Sequence, residues 1–113
     1  MAVKNARIAL LGMAYKRDSN DYRESPSIDI YGMLKAMGVR LTCCDPHIDI
    51  LEVSNTTIKT AAVTQKMLKN QDIAVILTDH RTFDYELIKT CAPLIFDTRN
   101  VYGKNEGKHI FTL

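Results

Sequence analysis

The chain has 113 residues, 46% of them apolar, and a formal net charge of +2. That length suits one compact domain, and the apolar share supports a core without disulfide or metal staples. A balance so mild gives no reason to expect nucleic acid or a membrane surface as partner, and no run of about 18 apolar residues exists to span a bilayer.

Met1 to Asn5 lack the charged and apolar regions of a secretory leader. Three cysteines, an odd number, argue against a disulfide framework and for a reducing, cytoplasmic setting.

In chain order, Arg7–Gly12 reads as a first strand, its apolar run nearly continuous as in a strand covered on both faces. A polar loop follows, crowded with Lys16, Arg17 and Arg23. Pro26–Met37 reads as a helix, with Ser25 as N-cap and Pro26 at the first helical position. Ile30, Met33, Leu34 and Met37 fall on one stripe, and Gly38 ends the helix as a left-handed residue. Val39–Cys44 reads as the second strand, closed by Asp45-Pro46. Residues 47–62 are expected to hold a short helical turn and a third strand near Thr57–Ala61. Val63–Asn70 reads as a short helix, Ile73–Thr78 as the fourth strand, and Phe83–Cys91 as a helix with Phe83, Leu87, Ile88 and Cys91 inward. Leu94–Asp97 is the fifth strand, and His109–Leu113 a last edge strand.

Alternating strands and helices predict an α/β fold: a Rossmann-like three-layer α/β/α arrangement with a mostly parallel sheet, forming a single domain over 1–113. In such sheets ligands bind at the carboxyl ends of the strands. Lys16 to Arg23, Asp45 and His47, Asp79 and His80, and Asp97 to Asn100 all gather at those ends. Adjacent Cys43 and Cys44 on a strand point to opposite faces, and Cys91 lies on an apolar helix face, so all three read as small core side chains. His47, His80 and His109 show no metal-ligand spacing. His80 reads as a loop or capping residue with nothing local to tune it.

Binding of a dinucleotide by this domain alone is not expected. The fingerprint G-x-G-x-x-G needs three glycines for close backbone approach to a pyrophosphate. Only Gly12 is present, with Ala14 and Arg17 in the other places. Asp45, at the position of a ribose-binding acid, reads instead as a turn that stops the strand.

The segment Gly12, Ala14, Tyr15, Lys16, then Asp21, Arg23, Ser25 and Pro26, resembles the opening of the C-terminal domain of the nucleotide-sugar 6-dehydrogenases. Two later segments, Cys44-Asp45-Pro46-His47 and Ile95-Phe96-Asp97-Thr98-Arg99-Asn100, look like the same family. Tyr15, Thr78-Asp79-His80 and Asp97-Thr98-Arg99-Asn100 look more like the UDP-N-acetylglucosamine or UDP-N-acetylmannosamine branch than the UDP-glucose branch.

The resemblance implies a nucleotide-sugar-binding piece of a larger enzyme. That enzyme would have an N-terminal NAD-binding domain and a central dimerising region, and would form homodimers or larger assemblies. It would oxidise the sugar C6 alcohol to a carboxylate with two NAD molecules. The catalytic cysteine motif of such enzymes is absent, so no residue here is expected to be catalytic, and the chain alone is expected to have no turnover. No metal is implied.

Carried over by motif, Tyr15, Lys16, Arg17, Asp18 and Arg99 would meet the UDP-sugar, and Arg23 would reach toward NAD. The chemistry agrees: lysine supplies a compact cation to a diphosphate, and a planar guanidinium suits phosphate or ribose oxygens. Lys16 and Arg99 are expected to converge on one ligand. Lys16 could instead be a solvated loop lysine, and Arg23 could pair with Asp21 or Glu24. Asp97 would orient Arg99 or cap the turn after the fifth strand. The competing readings are a stand-alone nucleotide-binding or regulatory module and a receiver-like domain. The latter is disfavoured because basic Lys16 and Arg17 stand where its acidic cluster belongs.

Overall fold

In a computed structural model, which describes residues 4–53, 55–104 and 107–113, seven strands and three helices follow one another. They are β1 (Arg7–Leu11), α1 (Pro26–Ala36), β2 (Arg40–Cys44), β3 (Ile50–Val53), β4 (Thr56–Lys59), α2 (Gln65–Lys69), β5 (Ile73–Ile76), α3 (Tyr85–Cys91), β6 (Ile95–Asp97) and β7 (Ile110–Thr112). The reading of Met1–Asn5 as lacking a leader lies, for its first three residues, outside those described.

Five strands form one parallel sheet in the order β2-β1-β5-β6-β7. This is the α/β fold the alternation predicts, with β7 at an edge as expected. Parallel neighbours share a face, so the period-2 alternation of each strand divides the core in two. Ala9, Leu11, Cys44, Ala74, Ile76 and Ile95 meet Leu68 of α2 and Ile88 of α3 on one face. Leu10, Cys43 and Leu77 meet Ile30, Tyr31 and Leu34 of α1 on the other. Cys43 and Cys44 therefore do point to opposite faces.

Three expectations need correction. Among its described residues, the segment 47–62 contains no helical turn; the expected strand there is β4, which pairs with β3 in an antiparallel hairpin that adds Leu51, Val53 and Ile58 to the α1 face. Helix α1 does not bury Met33 and Met37, which are 67% and 52% exposed. Its inward residues are Ser27, Ile30, Tyr31 and Leu34, and Ser27 is small because its hydroxyl donates to the Gly12 carbonyl at 3.0 Å. Finally, α3 starts at Tyr85 behind the N-cap Asp84, whose carboxylate accepts from Leu87 N–H, so Phe83 is buried from the preceding loop.

The helix ends otherwise follow the sequence. Ser25 accepts from Ser27 N–H, Pro26 opens α1, and Gly38 takes a positive φ of 82° behind it. No helix among the described residues is long and apolar enough to cross a membrane.

Candidate functional site

The strand order reverses between β1 and β5, since β2 lies on one side of β1 and β5, β6 and β7 on the other. Chains diverge at such a point and open a crevice at the carboxyl ends. Here three links stitch the two diverging loops together. Thr78 Oγ1 donates to the Ala14 carbonyl at 2.8 Å, Asp18 N–H donates to His80 Nδ1 at 2.8 Å, and Arg17 pairs with Asp79 at 2.5 Å. Gly12, at φ 97°, lets the loops approach; a Cβ there would lie 2.5 Å from the Thr78 Cβ.

Beneath this seam Asp45 acts as a hub. One carboxylate oxygen accepts from Met13 N–H at 2.8 Å, Ala14 N–H at 3.1 Å and His80 Nε2 at 2.9 Å. The other accepts from His47 N–H at 2.8 Å, the turn expected of an Asp-Pro strand end. The Asp45 and His80 side chains are wholly buried. Because His80 Nδ1 accepts a hydrogen bond, the ring proton lies on Nε2, directed at Asp45. The expectation that nothing local acts on His80 is thus overturned: Asp45 lies on one side, and the His47 ring packs edge-on with centroids 4.7 Å apart.

The same geometry tests the domain for a dinucleotide. The N–H groups that follow the strand-end glycine are those a pyrophosphate would need. Both are taken by Asp45, and the space above Gly12 is filled by Thr78. The residues present do not fit NAD at this point.

The open groove lies one step along the rim. It has a volume of about 310 Å³ and is lined by Arg17, Asp79, Arg81, Tyr85, Arg99, Asn100 and Val101. Three arginines face one aspartate, so it favours an anion. The Arg99 side chain is held by Nε donating to the Leu77 carbonyl at 2.9 Å. Asp97, fully buried, caps the turn beneath it, accepting from Arg99 N–H at 3.1 Å and Tyr102 N–H at 3.0 Å. Arg17 bonds to Asp79 through Nε at 3.1 Å and its terminal nitrogen at 2.5 Å. That guanidinium holds the Asp79 carboxyl below the usual carboxylate range. Burial pushes the Tyr85 and Tyr102 phenols up, so both stay protonated; the Tyr85 hydroxyl donates to the His80 carbonyl and that of Tyr102 to the Tyr85 carbonyl, each at 2.6 Å.

The candidate residues divide accordingly. Arg17 and Arg99 share this groove. Lys16, exposed, lines neither of the two grooves that Arg99 lines, so the cation the loop presents beside Arg99 is its neighbour Arg17. Tyr15 is 55% exposed at the surface of the same loop. Asp18, at φ 58°, engages its carboxylate with Arg81 Nε at 2.9 Å and Arg81 N–H at 3.0 Å, and these contacts lower its pKa. Arg23, 84% exposed, pairs with Asp21 at 3.1 Å in a separate shallow groove.

Asp45 and His80, the residues that fix the site, were the ones sequence reasoning undervalued. Their signal was present, Asp45 directly after β2 and His80 in the polar run that follows β5, but their contact spans 35 positions. Asp18, His47 and His80 also bring potential ligand atoms within 4.8 Å of one another. Both nitrogens of His80 are already bonded and Asp18 is held by Arg81, so the cluster is used as structure. The three cysteines are buried; burial pushes the Cys43 thiol up to about 11 and that of Cys44 to about 12, far from nucleophilic range.

A parallel α/β domain with an arginine-lined anion groove on its carboxyl rim defines a nucleotide-binding class of module. Residues 9–104 match the model of the UDP-glucose/GDP-mannose dehydrogenase family, UDP binding domain, and the chain belongs to that family. It is 29% identical over 116 residues to a UDP-N-acetyl-D-mannosamine dehydrogenase of Methanococcus maripaludis, covering 96% of this chain and 26% of that protein. It is 32% identical over 113 residues to a UDP-glucose 6-dehydrogenase of Bacillus subtilis, covering 93% of this chain and 24% of that one. The solved UDP-D-ManNAc dehydrogenase of Pyrococcus horikoshii shares the fold, with a TM-score of 0.75 at 24% identity over 99% of this chain and 26% of its own. The chain thus spans about a quarter of the length of these relatives.

Proposed function

We propose that this chain, as one domain over 1–113, is the UDP-sugar-binding part of a larger cytoplasmic, NAD-dependent nucleotide-sugar 6-dehydrogenase. In this reading the parent oxidises the C6 alcohol of a UDP-N-acetylhexosamine to a carboxylate, with UDP-glucose as the second choice of substrate. Arg17 and Arg99 hold the diphosphate, while Tyr15, Lys16 and Asp18 frame the nucleotide from the same loop. Arg23, projecting from the rim, is available to NAD held by the parent's N-terminal domain across a cleft. The central region of the parent, in a homodimer or larger assembly, supplies the catalytic residue that this chain lacks.

The observation that carries this reading is the convergence of Arg17 and Arg99, from loops 82 positions apart, on one groove. Each phosphate of a diphosphate offers pairs of acceptor oxygens that a guanidinium fork meets with two parallel N–H bonds, which the point charge of a lysine does not match. The test is a titration of the chain with UDP followed by amide NMR shifts. Shifts are expected at residues 15–18 and 98–101. Shifts confined to the amino-end groove lined by Arg7, Arg40 and Gln71 would overturn it.

A further inference from the structure

The Tyr15–Arg17 segment is an arch pinned at both ends by one buried unit. At its start, Met13 and Ala14 N–H donate to Asp45. At its end, Asp18 N–H donates to His80 Nδ1, and His80 turns its other nitrogen back to Asp45. Three residues therefore span two anchors that are themselves bonded at 2.9 Å and sealed from water. We propose that His80 and Asp45 are positioning residues for the nucleotide-sugar site: the pair presets the arch so that Arg17 faces Arg99 before any ligand arrives. This rests on the functional reading above.

The physical case is one of prepaid order. An exposed, untethered loop would lose backbone freedom on gripping a ligand, and that loss weakens binding. Bonds already made in the dry interior remove most of it. Asp18 closes the arch at its far end, since its left-handed backbone aims N–H at His80 while its carboxylate is held by Arg81.

The two ring nitrogens of His80 do different work, so two substitutions separate them. In His80→Asn the side-chain oxygen sits where Nδ1 was and still accepts from Asp18 N–H. In His80→Gln the amide reaches Asp45 and leaves Asp18 N–H unanswered. With UDP-N-acetylglucosamine as probe, His80→Gln is expected to weaken binding about tenfold, the loss of one well-ordered hydrogen bond, and His80→Asn by less than about threefold. Hydrogen exchange at the Asp18 amide is read beside it, with faster exchange expected in His80→Gln alone. Equal affinities for the two variants, or unchanged Asp18 protection in His80→Gln, would overturn the proposal. Should neither variant fold, the ring 15N shifts of the unaltered chain decide: a proton found on Nδ1 rules the arch anchor out, and one on Nε2 upholds it. If the unaltered chain shows no response to the probe, the functional reading fails, and the Asp18 protection still judges the arch.

Discussion

Two carboxylate-centred pairs serve the same rim, and their surroundings give them opposite characters. Asp45 and His80 meet at 2.9 Å with both side chains fully buried. Arg17 and Asp79 meet at 2.5 Å with side chains 53% and 16% exposed. Around the buried pair, each atom has a fixed partner, and removing one leaves donors stranded in low dielectric. Around the exposed pair, water screens the attraction and an arriving anion can replace the aspartate at little cost. A carboxylate thus holds a loop in one place and remains open to exchange in the other.

The largest effect is expected where the dry pair is broken. Asp45→Ala removes the acceptor for three backbone N–H groups and His80, and should cost about 3–5 kcal/mol in urea unfolding. Asp79→Ala should move the urea midpoint little. Equal costs would erase the distinction. Gly12→Ala comes next, because its φ of 97° and a Cβ 2.5 Å from that of Thr78 force the seam apart; about 2–3 kcal/mol is expected. Arg99→Met should weaken UDP binding about tenfold while leaving the urea midpoint near that of the parent. Asp79→Asn should tighten UDP binding about threefold, since it releases Arg17 from an internal competitor.

Much of the scaffold could be read in advance, and the misses have physical causes. Apolar runs at Arg7–Leu11 and Ile73–Ile76 and the caps at Ser25 and Gly38 are local signals, and they held. The strand expected near Thr57–Ala61 is β4, but its partner β3 was missed because both strands are four residues long and the segment Val53-Ser54-Asn55-Thr56 lacks a strong turn glycine. The α1 stripe failed because hydrophobicity favoured Met33 and Met37, whereas packing chose small Ser27 for its closeness to the Gly12 carbonyl. The motif located the cationic loop, but whether Lys16 or Arg17 faces Arg99 depends on loop dihedrals and on contacts with Asp79 and His80, 62 positions away. Buried polar hubs of this kind are long-range by nature and leave little trace in local spacing.

The smallest expected effect examines the exposed pair alone. The Arg17 guanidinium, chiefly by hydrogen bonding and then by charge, holds the Asp79 carboxyl below its ordinary 3.8. A carboxyl depressed on folding adds stability above the unfolded pKa, and that contribution vanishes as pH falls through the folded value. Arg17→Met removes the cause. The variant should therefore have a slightly lower urea midpoint than the parent at neutral pH, with the gap closing as pH falls through the depressed Asp79 value and the carboxyl is protonated in both. A gap that stays undiminished as pH falls far enough to protonate Asp79 in both would mean that the Arg17 stem packs rather than pairs. The exposed partnership would then be as fixed as the buried one, and could not give way to a diphosphate.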